Sequence, residues 1–109
     1  MSVQRARGTA AETAVVRYLQ ANGHVTVERR ALGGVHDRGD ISGLSETVVE
    51  VKAHRAMDLA SWVDQSRKAM RPGDRIAAVW HKRRGKGSPG DWYVTMTGDD
   101  FIRLLERRA

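Results

Sequence analysis

The segment 47–52, with the sequence TVVEVK, constrains the fold more than any other part of this 109-residue chain. Its β-branched residues are typical of a strand, in which successive side chains point to opposite faces of a sheet. Glu50 and Lys52 therefore share one face, while Val49, Val51 and Ala53 fill the other. Charged groups beside a core strand are costly unless they have partners or a function. The segment therefore predicts a strand that carries an acid and a base side by side.

Two further acids favour a functional site over a simple surface ion pair, which would explain an isolated Glu-x-Lys equally well. The segment 43–46 has turn composition and predicts a hairpin that brings Asp40 close to Glu50. Glu12 continues the apolar stripe of a helix predicted over residues 9–21, so its carboxylate is expected to point inward. These residues together predict an acidic cluster.

The remaining pattern predicts an α/β fold of the mixed α+β kind, with the order α-β-β-β-α-β-β-α and helices against the faces of a central mixed sheet. The unbroken apolar run 76–80 is typical of a central strand covered on both faces. The last helix, starting near Asp99, is expected to bury Phe101, Leu104 and Leu105. Trp80 and Trp92 lie in apolar strand sequence and are expected to be core residues. The whole chain, residues 1–109, is expected to form one domain.

The composition narrows the choice of partner. An excess of 19 Lys and Arg over 13 Asp and Glu gives a net charge of +6, which favours a polyanion, with nucleic acid ahead of anionic lipid or charge kept for solubility. The chain has no cysteine and no apolar run near the ~20 residues of a membrane span, so we expect a cytoplasmic protein without a membrane partner. It also has no Gly-rich nucleotide-binding loop, so no nucleotide cofactor is expected.

The acidic cluster has the chemistry of a divalent-metal site. Asp40 and Glu50 offer the hard oxygen ligands that Mg²⁺ and Mn²⁺ prefer, and the Val51 backbone carbonyl is a third candidate. Glu12 would close the site directly or through a bound water. Lys52 is placed to position an attacking water or to stabilise developing negative charge. The net charge of these four side chains, minus two, suits a divalent cation.

Basic residues in three segments are candidates for contacts with phosphates along a duplex. A solvated charge run remains the alternative for the Gly-rich loop that follows residue 81. The candidates are Lys82, Arg83, Arg84 and Lys86 in that loop, Arg5 and Arg7 near the start of the chain, and Arg29, Arg30 and Arg38 around the glycines 33–34.

The set Glu12, Gly39-Asp40-Ile41 and Glu50-Val51-Lys52 resembles the PD-(D/E)XK nuclease superfamily. From about residue 8 to 105 the chain is similar to the small Holliday junction resolvases of archaea and phages. The resemblance implies a restriction-endonuclease-like core, Asp40 and Glu50 as metal ligands, Lys52 as the catalytic lysine and Glu12 as the helix-borne acid. Gly39 departs from the pattern, since the superfamily name implies proline there. The helix-borne glutamate also resembles an uncharacterised bacterial family with the same core.

Two more residues are candidates for accessory roles. Gln65 lies on the helix after the Glu-x-Lys strand, where several related nucleases carry a glutamine near the site. A solvent-facing helix residue is the alternative for Gln65. His54 shares the strand face of Glu50 and Lys52 and is placed to line the site, or to stand partly exposed at the strand end.

The function implied is that of a Mg²⁺-dependent, structure-specific endodeoxyribonuclease of DNA recombination and repair that resolves Holliday junctions by paired nicks. Mn²⁺ is expected to support the same reaction. Two symmetric incisions need two sites and each chain has one acidic cluster, so a homodimer in a bacterial, archaeal or phage-infected cell is expected. A related nuclease that cuts flaps, ends or other branched or duplex DNA, and a non-catalytic DNA-binding protein of the same fold, are the alternatives.

Overall fold

The structure, a computed structural model, describes residues 3–30 and 39–107, with the side chains of residues 3–5 left out. Its helices are α1 (Val3–Ala21), α2 (Leu59–Lys68) and α3 (Gly98–Glu106). Its strands are β1 (Glu28–Arg29), β2 (Ile41–Ser42), β3 (Thr47–Lys52), β4 (Ile76–His81) and β5 (Tyr93–Thr95), with a short 3₁₀ turn at Pro89–Asp91. No helix within these ranges is long and apolar enough to cross a membrane.

A mixed three-stranded sheet forms the centre of the molecule, which confirms the predicted α+β class. β4 lies in the middle, parallel to β3 and antiparallel to β5. Parallel strands need a long crossover connection, and α2 supplies it between β3 and β4. The central position predicted for β4 is confirmed, and Ala77 and Val79 are fully buried there.

Both faces of β3 are covered, and the strand pleat decides what each face carries. Val49 and Val51 pack with Ala11 and Val15 of α1 in one hydrophobic cluster. Val48 packs on the other face with residues 69 and 77. Because side chains alternate along a strand, Glu50 and Lys52 belong to the face of Val48, toward α2.

The predicted hairpin between the Asp40 segment and β3 is wrong as a strand pairing. β2 pairs antiparallel with β1, in a separate two-stranded sheet. Gly43 explains the path of the chain: it has a φ of +96°, and a Cβ there would lie 2.5 Å from the Thr26 carbonyl oxygen. Only glycine permits this approach, which holds β2 against the segment leading into β1. The residue before β2, Asp40, hydrogen-bonds to β3, where its N–H donates to the Val49 carbonyl at 2.9 Å.

The orientation predicted for α3 is also wrong. Phe101 and Leu105 are 49% and 42% exposed, whereas the neighbouring Asp100 is completely buried. The Asp100 carboxylate accepts hydrogen bonds from Arg67 of α2 and Arg103 of α3, each at 2.6 Å, and from the Ala77 N–H at 3.1 Å. α3 therefore turns its polar side toward the sheet and its apolar side to solvent. Three hydrogen bonds to one carboxylate compensate for its burial.

The tryptophans follow the sequence prediction more closely. Trp92 is buried in the α1 cluster, and its indole N–H donates to the Lys86 carbonyl at 2.8 Å. Trp80 is half-buried against the same cluster and donates to the Pro89 carbonyl at 3.1 Å. Both indoles thus tie the loop after β4 to the core, which confirms Trp92 as a core residue and places Trp80 at its margin.

Candidate functional site

Asp40 is fixed against the edge of β3 that β4 leaves unpaired. Its Oδ2 accepts a hydrogen bond of 2.6 Å from the Val51 N–H, and its own N–H binds the Val49 carbonyl. On the other side, the Asp40 carbonyl accepts from the Arg30 N–H at 2.9 Å. Asp40 therefore bonds to both chain neighbours of Glu50. A carboxylate has about four acceptor positions, so the bond to Val51 leaves capacity for other partners.

The backbone conformation at residue 39 requires glycine. Its φ is +87°, which a proline ring, locked near −65°, cannot adopt. A Cβ at residue 39 would also lie 2.9 Å from Val48 Cγ1 and 3.0 Å from the Val49 carbonyl oxygen. Glycine at this position allows the chain to come close enough for Asp40 to bond to β3.

Glu50 and Lys52 extend from β3 toward α2. Glu50 is 4% exposed, which is unusual for a glutamate, and Lys52 is half-buried. The Lys52 Nζ donates a long hydrogen bond of 3.5 Å to Gln65 Oε1. The structure therefore brings together the lysine and the glutamine that the sequence placed near one another. α2 supplies this contact because it packs on the Glu50 face of β3.

Glu12 lies close to Asp40 but pairs with an arginine. Its side chain is 14% exposed, as expected for an inward-pointing residue, and its Oε2 lies 3.6 Å from Arg29 Nε. Burial raises the pKa of Glu12 above its usual value of 4.5, and the Asp40 charge adds to this, while Arg29 opposes both. Arg29, which the sequence assigned to DNA contacts, therefore compensates an acid of the cluster. Including it changes the net charge of the cluster from minus two to minus one.

A three-carboxylate metal cage is not formed by the residues that the structure describes, since no three His, Asp or Glu side chains there are grouped to hold an ion. The fold explains this, because α1 carries Glu12 on the Val51 side of β3 and Glu50 points to the α2 side. Asp40, Glu50 and the Val51 carbonyl remain as hard oxygen donors. The carbonyl points to the same edge as the Val51 N–H, where Asp40 lies. Mg²⁺ is commonly held by one or two carboxylates, with water and phosphate completing its shell, so this donor set suits it.

A basic cavity of about 590 Å³ opens beyond the end of β3, where Ala53 and His54 line it. It lies between the start of α1, the β3–α2 loop and the loop after β4, and β5 closes one side. Arg7 and the loop after β4 lie on one surface in this cavity. Its cationic residues are Arg7, Arg55, Lys82, Arg83 and Arg84. His54, exposed directly after β3, lines the same cavity.

Three cavity residues, Arg55, Met57 and Tyr93, were missed by the sequence patterns. Arg55 and Met57 lie in a loop without periodicity, and Tyr93 differs from its strand neighbours only in being aromatic. The basic run next to residue 82 is the one sequence signal that pointed toward this region.

Other predicted DNA contacts lie elsewhere. Lys86 is exposed but is not part of the cavity lining, and Arg30 is half-buried beside Asp40. Arg38 and the Arg5 side chain fall outside the described residues. Among the described residues, the cavity therefore contains four of the predicted DNA contacts, Arg7, Lys82, Arg83 and Arg84.

Comparisons with protein-family models, with curated proteins and with solved structures gave no match. The function of the chain therefore has to be inferred from the residues described above and from their geometry.

Proposed function

We propose that the chain is a Mg²⁺-dependent endodeoxyribonuclease that cuts branched DNA and resolves Holliday junctions. The observation that carries this proposal is the position of Asp40, bonded to both neighbours of Glu50 on a strand that ends in Lys52 and leads into a basic cavity. Hard anionic ligands suit a divalent cation, and the cavity suits phosphates. A protein that only bound DNA would gain affinity by losing these carboxylates.

Asp40 and Glu50 would hold the ion together with the Val51 carbonyl, and Glu12 would take part through a water. A bound Mg²⁺ or Mn²⁺ supplies positive charge to the phosphate under attack and makes water a better nucleophile at neutral pH. Lys52 would donate hydrogen bonds to the phosphate or to the attacking water. Gln65 would restrain the flexible lysine side chain through its bond to Nζ.

Junction resolution requires two symmetric cuts, so we propose that two copies associate through the apolar side of α3. Four of its side chains, Phe101, Ile102, Leu104 and Leu105, are between 38% and 53% exposed. Such a stripe on a surface helix is typical of an interface. The charges at the two ends of α3 favour a second copy of the chain as the partner at this surface. The first turn of α3 carries Asp99 and the helix is followed by Arg107, so antiparallel pairing sets opposite charges and opposite helix dipoles against each other.

Phe101→Asp and Leu105→Asp should convert a dimer to a monomer, because each places a charge inside the proposed apolar contact. Light scattering coupled to size exclusion would measure the mass. Val25→Asp, at a residue that is 75% exposed in a loop, is the matched control and should stay dimeric. A wild-type chain that is monomeric at micromolar concentration would contradict the α3 interface.

The nuclease assignment predicts paired, symmetric nicks in a labelled four-way junction with Mg²⁺ and none in its absence. Nicked and linear duplexes of matched sequence should be cut at least ~10-fold more slowly, a difference of about 1.4 kcal/mol in the activation barrier. Denaturing gels would resolve the products. Faster cutting of flaps or ends than of junctions would favour the alternative, a related nuclease that acts on those structures. Metal-independent binding without cutting of any substrate would favour the non-catalytic alternative.

A further inference from the structure

The basic cavity continues directly from the candidate catalytic strand. Ala53 and His54, which line it, follow Lys52 in the chain, and the Lys82 N–H donates to the Lys52 carbonyl at 2.9 Å. The cavity therefore begins at the residue that follows the candidate catalytic lysine. What the cavity accepts then bears on which DNA structure can be cut.

The charge of the cavity favours phosphate. Five cationic side chains line it, and none of the described residues in its lining is acidic. Lysine and arginine groups of this density bind phosphates of the backbone without regard to sequence. Arg83 is itself held in place, since its Nη1 donates to the Asp91 carbonyl at 2.8 Å. One part of the phosphate-binding surface is therefore ordered without a ligand.

The cavity also contains exposed apolar and aromatic surface that phosphate binding does not require. Tyr93 is 55% exposed and Met57 is 56% exposed, although both side chains are large and apolar. The Arg83 guanidinium lies 4.6 Å from the centre of the Tyr93 ring, in cation–π geometry. Aromatic rings next to cations are the usual platform on which unpaired bases stack. The lining therefore matches a nucleotide with its base exposed.

We propose that this cavity binds one unpaired nucleotide of the strand being cut, with its phosphate on the cationic residues and its base against Tyr93 and Met57. The inference rests on the proposed function and specifies its substrate as DNA with an unstacked nucleotide next to the cut. A volume of about 590 Å³ is within the range of small-molecule sites and is large enough for one nucleotide. A nucleotide that is already single-stranded costs least to extrude, so branch points are preferred over intact duplex.

Tyr93→Ala is expected to weaken binding of a short fluorescein-labelled oligothymidine by ~10-fold in metal-free buffer, because base stacking is lost. Its affinity for a duplex of the same length should stay within twofold of wild type. Tyr93→Phe, which keeps the ring, should bind the single strand as the wild type does. Val94→Ala is the matched control, since Val94 is the next residue of β5, is 45% exposed and does not line the cavity. Fluorescence anisotropy measures all four proteins, and thermal unfolding verifies that each is folded.

Equal binding of oligothymidine by Tyr93→Ala and Val94→Ala would overturn the nucleotide site, as would an equal loss on single strand and duplex. Either result leaves the nuclease proposal standing if the wild type still nicks junctions. If the wild-type protein binds neither single-stranded nor duplex DNA, the result contradicts the proposed function, and the nucleotide site with it.

Discussion

Asp40→Asn and Glu50→Gln should each lower Mg²⁺-dependent junction cleavage by about 10³-fold or more, since loss of a metal ligand removes several kcal/mol of stabilisation of the transition state. Binding of the junction should persist, because both substitutions remove negative charge near the DNA. The measurement pairs single-turnover cleavage with gel-shift affinity on the same junction. Normal cleavage by either variant would contradict the assignment of that residue as a metal ligand.

The effect of metal on thermal stability shows whether a variant has lost metal binding or only cleavage activity. A ligand that binds only the folded state raises its stability by RT ln(1 + [L]/Kd), so Mg²⁺ or Mn²⁺ at tenfold its Kd should raise the Tm of the wild type by about 6 °C. The two variants should show little of this rise. Asp64→Asn, which removes an exposed carboxylate of α2, is the matched control and should keep both the rise and the cleavage.

Asp100→Asn should cost about 3–5 kcal/mol of unfolding free energy, because it leaves two arginines and a backbone N–H facing an uncharged group in a buried position. For a chain of this length the corresponding fall in Tm is about 12 °C or more. Thermal and urea unfolding followed by circular dichroism would measure both. Asp99→Asn changes the exposed neighbour and should leave stability within about 0.5 kcal/mol.

The difference in unfolding free energy between the wild type and Asp100→Asn should depend on pH, because it depends on the pKa of Asp100. Burial acts to raise that pKa, but the bond from Ala77 N–H and the charges of Arg67 and Arg103 outweigh it, and the pKa lies below its usual value of 3.8. The stabilisation is therefore fully present above pH 3.8 and is lost as the pH falls through the lower folded-state value. The gap between wild type and Asp100→Asn should be constant near neutrality and should narrow in acid. A gap that is independent of pH would contradict the ionic role.

The spacing of apolar residues predicted those features of the fold that depend on residues close together in the sequence. The apolar run of β4 indicated a central strand, and the spacing on α1 indicated that Glu12 points inward; the structure confirms both. The orientation of α3 could not be obtained this way. Periodicity shows that a helix has an apolar side but not which side meets the sheet, and here Arg67, far away in sequence, decides by pairing with Asp100.

In the candidate site, too, local spacing predicted some features and long-range contacts determine the others. The Glu-x-Lys spacing indicated which face of β3 carries both charges, and Gln65, an exposed residue of α2, lies next to Lys52. The bond from Val51 N–H to Asp40 depends on the positive φ of Gly39, and the pairing of Arg29 with Glu12 depends on how β1 meets α1. Both are long-range contacts with no periodic signal. The turn composition after β2 likewise indicated a chain reversal without indicating which strands would pair.

The attachment of α3 to the sheet has a consequence for how the molecule opens. Most helices that cover a sheet are retained by buried apolar side chains, whereas the buried side chain of α3 is the Asp100 carboxylate, which bonds to Arg67 and the Ala77 N–H. At the end of the helix, Glu106 contacts Arg75 and Arg107 donates to Thr47. Releasing α3 would expose little apolar surface, so we expect the helix to open before the sheet unfolds. Its amide hydrogens should therefore exchange through local opening, at a lower free energy than those of β3 and β4. Because Asp100 must be ionised to hold these contacts, we expect α3 to open more readily in acid than at neutral pH.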